Sequence, residues 1–143
     1  RVFLEHYLHH CTVQTKPYPG VCDFLDKPHR ASLLTNKSLA PTLVLLRHFG
    51  WENRFEHVLC GDTSPERKPS PAGLLWILEQ VGIHPQDALM VGDDMADVHC
   101  AQAAGVPCVA ILSGFGNAAL LRNSNANFLA DSFLDFTRLV QAS

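Results

Sequence analysis

Nothing in these 143 residues approaches the roughly 18 consecutive apolar residues that span a bilayer, and no basic-then-apolar leader marks secretion. A surplus of positive charge is also missing. Eleven Lys and Arg stand against 14 Asp and Glu, for a net charge of −3 and a pI near 6.2. That removes the electrostatic case for nucleic acid or an anionic membrane surface as partner. Disulfide and zinc signatures are absent too. The five cysteines (Cys11, Cys22, Cys60, Cys100, Cys108) are odd in number and widely spread, with no C-x-x-C pair. They read as buried reduced thiols of a cytoplasmic protein. Eight histidines are many, but "HHC" at His9 to Cys11 has no second pair at metal spacing and is not read as a ligand set.

What is present is an ordinary globular composition, 47% hydrophobic and 17% charged, long enough for one domain with a proper core. Arg1 to about Thr12 carries Val2, Phe3, Tyr7 and Leu8 at a spacing that predicts an amphipathic helix, so the chain opens in the middle of a helical pattern. "KPYPG" (16–20) breaks it, and a short helix is expected around Val21 to Leu25.

A rhythm then sets in. "ASLLTN" reads as a buried strand, Ser38 as an N-cap, and "LAPTLVLLRHFG" as a helix closed by Gly50. "HVLCGD" is a second strand, followed by a helix over Pro71 to Val81 and Gly82. "DALMVGD" is a third, with a helix over Ala96 to Ala104 and Gly105 after it. "PCVAILSG" is a fourth, "NFLAD" a short edge strand, and Phe133 to Val140 a last helix. Short apolar strands alternating with helices of about ten residues predict a three-layer, doubly wound α/β domain on a parallel sheet. Ligands of such sheets sit beyond the carboxyl ends of the strands. Those ends read Thr35-Asn36-Lys37, Gly61-Asp62-Thr63, Gly92-Asp93-Asp94 and Ser113-Gly114.

Chemistry-bearing residues collect at these ends. Asp93, Asp94 and Asp97 crowd three like charges into five residues beside Gly92. Asp97 falls in the first helical turn, where it can face the same point as Asp93, and converging oxygen donors suit a hard cation such as Mg²⁺. The competing reading is helix capping, with Asp94 or Asp93 as the cap and Asp97 complementing the helix dipole; for Asp94 capping is the preferred one. Thr35, followed by the amides of Asn36 and Lys37, makes either a phosphate-oxygen cradle or merely a polar turn. Lys68 in "ERKPSP" stands just ahead of a proline-stiffened helix start, placed to reach a phosphate or to lie on the surface. Arg67 and Lys37 are read as solvent-facing.

A hydroxyl, a lysine and a carboxylate pair on successive strand ends resemble the haloacid dehalogenase superfamily of phosphohydrolases. Its second, third and fourth motifs look like "LLTNK", Lys68 before "PSP", and "VGDDMAD". "PYPGV", "GDTSPERKPSP", "ALMVGDDMADV" and "AAGVP" look like the phosphoglycolate phosphatase branch. The resemblance implies phosphomonoester hydrolysis through an aspartyl-phosphate, with Mg²⁺ as cofactor and 2-phosphoglycolate as substrate. It implies that Asp93 ligates the metal and Asp97 supports it through water or an outer contact. Thr35 would hydrogen-bond the phosphoryl group, Lys68 would neutralise its charge, and Asn36 would add a polar contact beside it.

The D-x-D-G-[TS] segment that carries the family's nucleophile is absent from the chain; "CDFLD" has the wrong spacing and no Gly-Thr. The chain therefore reads as a C-terminal fragment, with residues 1–15 as the end of a helical cap and its return linker and residues 16–143 as a partial core. The family's first strand would lie between the strands ending in Thr35 and Asp93. Its absence predicts open strand edges, poor stability and no phosphatase activity for the chain alone. The alternatives are a related phosphatase or phosphoglucomutase with another small substrate, and a catalytically dead binding or structural relative. A signalling receiver domain is disfavoured, because its acid pair precedes the Thr and the Lys.

Overall fold

The computed structural model describes residues 2–4, 30–113 and 117–141. Six strands form one sheet: β1 (Val2–Leu4), β2 (Ala31–Leu34), β3 (Val58–Leu59), β4 (Leu89–Gly92), β5 (Cys108–Ile111) and β6 (Phe128–Ala130). Every pairing is parallel, in the order β3-β2-β1-β4-β5-β6. The connecting helices are α1 (Leu39–Phe49), α2 (Ala72–Val81), α3 (Met95–Ala104), α4 (Ala118–Arg122) and α5 (Phe133–Gln141).

The two-residue period of the strands sorts their side chains onto two cores. Leu33, Val91, Val109 and Ile111 pack with Leu45 and Leu46 of α1 and Phe133 and Phe136 of α5. Leu34, Met90, Cys108 and Ala110 pack on the other face with Leu74 and Ile77 of α2 and Val98 and Ala101 of α3. Near-continuous apolar strands between two helical layers are what a parallel sheet buried on both faces requires. This is the doubly wound α/β fold that the sequence predicts, and the first three helices close at Gly50, Gly82 and Gly105 as expected.

Three expectations change. The helix predicted from Arg1 is replaced, over Val2–Leu4, by a strand. Val2 pairs with Ala31 on one side and Leu89 on the other, and Leu4 with Leu33 and Val91. Two flanking strands with unpaired N–H and C=O groups favour an extended apolar triplet over a helical turn, so tertiary context outweighs the local period. The edges expected to be open are therefore paired. The remainder of the predicted first helix, "KPYPG", the short helix around Val21 to Leu25, and Gly114 lie outside the described residues.

Ser38 occupies the N-cap position of α1, yet its side chain makes no cap hydrogen bond. Leu39 N–H donates instead to Asp62 Oδ1 at 2.9 Å, from the loop after β3. Finally, α4 and a 3₁₀ turn at Pro85–Asp87 were not anticipated; each is held by a local cap, Asn117 and His84 respectively.

Candidate active site

The carboxyl ends of β2 and β4, flanking β1, bring Thr35 and Asp93 to the same end of the sheet, and both residues are buried. Thr35 extends the β2 ladder by donating its N–H to Leu59 O at 3.0 Å, and its Oγ1 accepts the N–H of Lys37 at 3.1 Å. That bond tightens the turn into α1. Lys37 is half-buried, not fully solvent-facing as expected, whereas Arg67 is exposed.

Three loops meet here. The loop after β3 lies directly against the backbone of Asn36: a β-carbon on Gly61 would collide with the Asn36 carbonyl oxygen, so only glycine fits. Gly61 N–H donates to Lys37 O at 2.9 Å, fastening the two loops. Further along the same loop, Lys68 N–H donates to Asn36 Oδ1 at 2.9 Å, and Asn36 Nδ2 donates to Lys68 O at 3.0 Å. The Asn36 carboxamide, expected beside a phosphate, thus faces the main chain of Lys68.

Lys68 points inward. Its Nζ lies 2.7 Å from Asp97 Oδ1, and the two side chains are 1% and 0% exposed. Asp97 Oδ2 accepts the backbone N–H groups of Asp93 and Asp94, each at 3.2 Å. A buried carboxylate needs a counter-charge and filled lone pairs, and Asp97 has both. Its place in the first turn of α3 adds the favourable end of the helix dipole. Gly92 is fixed by the same contact, since a β-carbon there would run into the Asp97 side chain.

The three acids have separated roles. Asp94 Oδ1 accepts Met95 N–H at 2.7 Å and forms a capping box with Asp97, which is the capping role preferred from the sequence. Asp97 spans Lys68 and the acid loop. Asp93, 1% exposed, sits at the mouth of β4. Among the described residues no group of three or more His, Cys, Asp or Glu could hold a metal ion. A carboxylate such as that of Asp93 is the donor type a hard cation takes, and Asp97 orients the Asp93 main chain with both of its own oxygens engaged.

Cys60, Cys100 and Cys108 are buried thiols outside any disulfide, as expected; Cys11 and Cys22 lie outside the described residues. Burial pushes the Cys108 pKa up to about 12, with smaller contributions from the negative charge of Asp97 and from Cys100. A thiol held protonated is no nucleophile at neutral pH. No helix among the described residues is long and apolar enough to cross a membrane.

Sequence reasoning anticipated Thr35, Lys68, Asp93 and Asp97, and the structure brings all four to this end of the sheet. It missed the cap that Asp62 provides and the Asn36–Lys68 link. No local signal announces either, because the partners are 23 and 32 residues apart.

The chain is similar to known proteins. A family model described as haloacid dehalogenase-like hydrolase matches residues 1–111. The phosphoglycolate phosphatase of Nitrosococcus oceani is 35% identical over 143 residues, covering 97% of this chain and 64% of that protein. A crystal structure of a predicted phosphoglycolate phosphatase from Haemophilus somnus superposes with a TM-score of 0.81 at 28% identity, covering 88% of this chain and 58% of that one. CbbY from Rhodobacter sphaeroides in complex with phosphate gives a TM-score of 0.73 at 25% identity, covering 84% and 56%. The chain thus spans just under two thirds of the Nitrosococcus protein's length. By its matched family model, and by the lysine and acid loop joined at its strand ends, the chain belongs to the haloacid dehalogenase-like hydrolases.

Proposed function

We propose that the protein containing this chain hydrolyses a small phosphomonoester with Mg²⁺, by way of an aspartyl-phosphate, with 2-phosphoglycolate as substrate. The observation that carries this reading is the buried Lys68–Asp97 pair, which joins the lysine loop to the backbone of Asp93 at the carboxyl end of a parallel sheet. The phosphoglycolate phosphatase relatives and the phosphate complex of CbbY support a phosphorylated small molecule as the ligand.

In this reading Thr35 Oγ1 donates a hydrogen bond to a phosphoryl oxygen while accepting from Lys37 N–H. Lys68 supplies positive charge to the phosphoryl group, and Asp97 holds that charge in place. Asp93 ligates Mg²⁺, and Asp97 supports it from outside by fixing the Asp93 amide. Held by Asp93, Mg²⁺ would supply positive charge to offset the negative charge of the phosphoryl group. The nucleophilic carboxylate attacks phosphorus, and the ester P–O bond breaks. The departing alkoxide takes a proton from a second carboxyl group, and water then cleaves the acyl-phosphate. In this reading both carboxyl groups belong to a D-x-D-G-[TS] segment, which the 143 residues do not contain, and the chain alone is expected to be inactive.

Two measurements on the purified chain test the reading. We expect Mg²⁺-dependent binding of inorganic phosphate, followed by calorimetry, and no turnover of 2-phosphoglycolate. Turnover at the rate of an intact enzyme overturns the assignment of the nucleophile. Absence of Mg²⁺-dependent phosphate binding overturns the site and favours a relative that has lost the chemistry.

A further inference from the structure

We propose that Asn36 is a positioning residue for Lys68: its carboxamide clamps the Lys68 main chain at both polar atoms and so aims the ammonium group into the site. Lys68 lies outside helix and sheet and precedes Pro69, which has no N–H, so its own N–H and C=O need partners from elsewhere. Asn36 provides both, accepting from N–H at 2.9 Å and donating to C=O at 3.0 Å. An asparagine carboxamide matches a peptide group in donor and acceptor, so the pair closes like one rung of a sheet.

Two bonds to one residue fix its peptide orientation, and the direction of the Cα–Cβ bond follows. From there the side chain runs inward to Asp97. A lysine stem has four rotatable bonds and loses much freedom on burial, so a fixed root reduces what the ion pair must hold by itself. The clamp is itself anchored: Gly61 packs against the Asn36 carbonyl, and Gly61 N–H holds the neighbouring Lys37 carbonyl. Asn36 therefore acts on a bound anion through Lys68. This goes beyond the polar phosphate contact expected from the sequence, and it rests on the phosphatase reading only for its effect on phosphate.

The test compares the chain with its Asn36→Ala variant. The first measurement is the rate at which acetic anhydride labels Lys68, read by mass spectrometry, with labelling of the buried Cys108 thiol by a maleimide alongside. We expect Lys68 to label at least about tenfold faster in the variant, the loss of a bond or two of ordinary strength, while Cys108 stays as protected as before. An unchanged Lys68 rate overturns the clamp. So does a parallel rise at Lys68 and Cys108, which is the signature of general loosening. The second measurement is inorganic phosphate affinity with Mg²⁺, expected to fall about tenfold; equal affinity overturns the link to the ligand. If the unaltered chain binds no phosphate, the functional reading fails and the labelling still decides the clamp. Asn36→Ser, too short to reach both main-chain atoms, carries the same expectations should the alanine variant not fold.

Discussion

Lys68 Nζ and Asp97 Oδ1 stand 2.7 Å apart with both side chains out of contact with water, 29 residues apart in the chain. Desolvating two charges is costly, and it is repaid only when the geometry is good and the remaining hydrogen-bonding sites are filled. Asp97 meets that condition through the amides of Asp93 and Asp94.

Removing one charge from this pair leaves the other buried without its 2.7 Å ion-pair partner. Lys68→Met and Asp97→Asn should each destabilise the chain by about 3–5 kcal/mol. The double variant, with neither member of the pair charged, should recover a large part of that loss. Urea denaturation of all four proteins measures the coupling, and additive losses would show that the two side chains do not act as a pair.

Asp93 and Asp94, adjacent in sequence, should respond differently to substitution. Asp94→Ala removes the α3 cap and should cost about 0.5–2 kcal/mol of stability while Mg²⁺-dependent phosphate binding persists. Asp93→Asn should weaken that binding by at least about tenfold. Thermal melts and calorimetry on both variants separate the roles; equal, small losses of binding would remove Asp93 as the metal ligand.

The first turn of α1 offers a test of a long-range cap. Asp62→Ala should cost about 0.5–2 kcal/mol, and Ser38→Ala less than about 0.5 kcal/mol, the reverse of what position alone suggests. Comparing their urea midpoints decides it.

Alkaline pH should expose the buried Cys108 thiol. Its pKa is pushed up to about 12 in the fold, above the value of about 8.5 for an exposed thiol. Between those values the folded chain binds more protons than the unfolded one, so stability present below about pH 8.5 is lost as pH rises towards 12. Cys108→Ala should flatten the stability–pH curve in that window. A curve of unchanged slope would show that Cys108 does not titrate there.

By itself the sequence determined the alternation of strand and helix, since apolar period, closing glycines and turn residues act within a few positions. It also determined the cap at Asp94, whose partner is the next residue. Tertiary structure decided the rest. Val2–Leu4 became the central strand because two open edges outweighed a helical period. Asp62 displaced Ser38 as the cap across 23 residues, and the Asn36 carboxamide meets the Lys68 backbone across 32. In each case a polar group is satisfied by whichever loop the sheet brings beside it, a choice set by chain topology and invisible to local pattern.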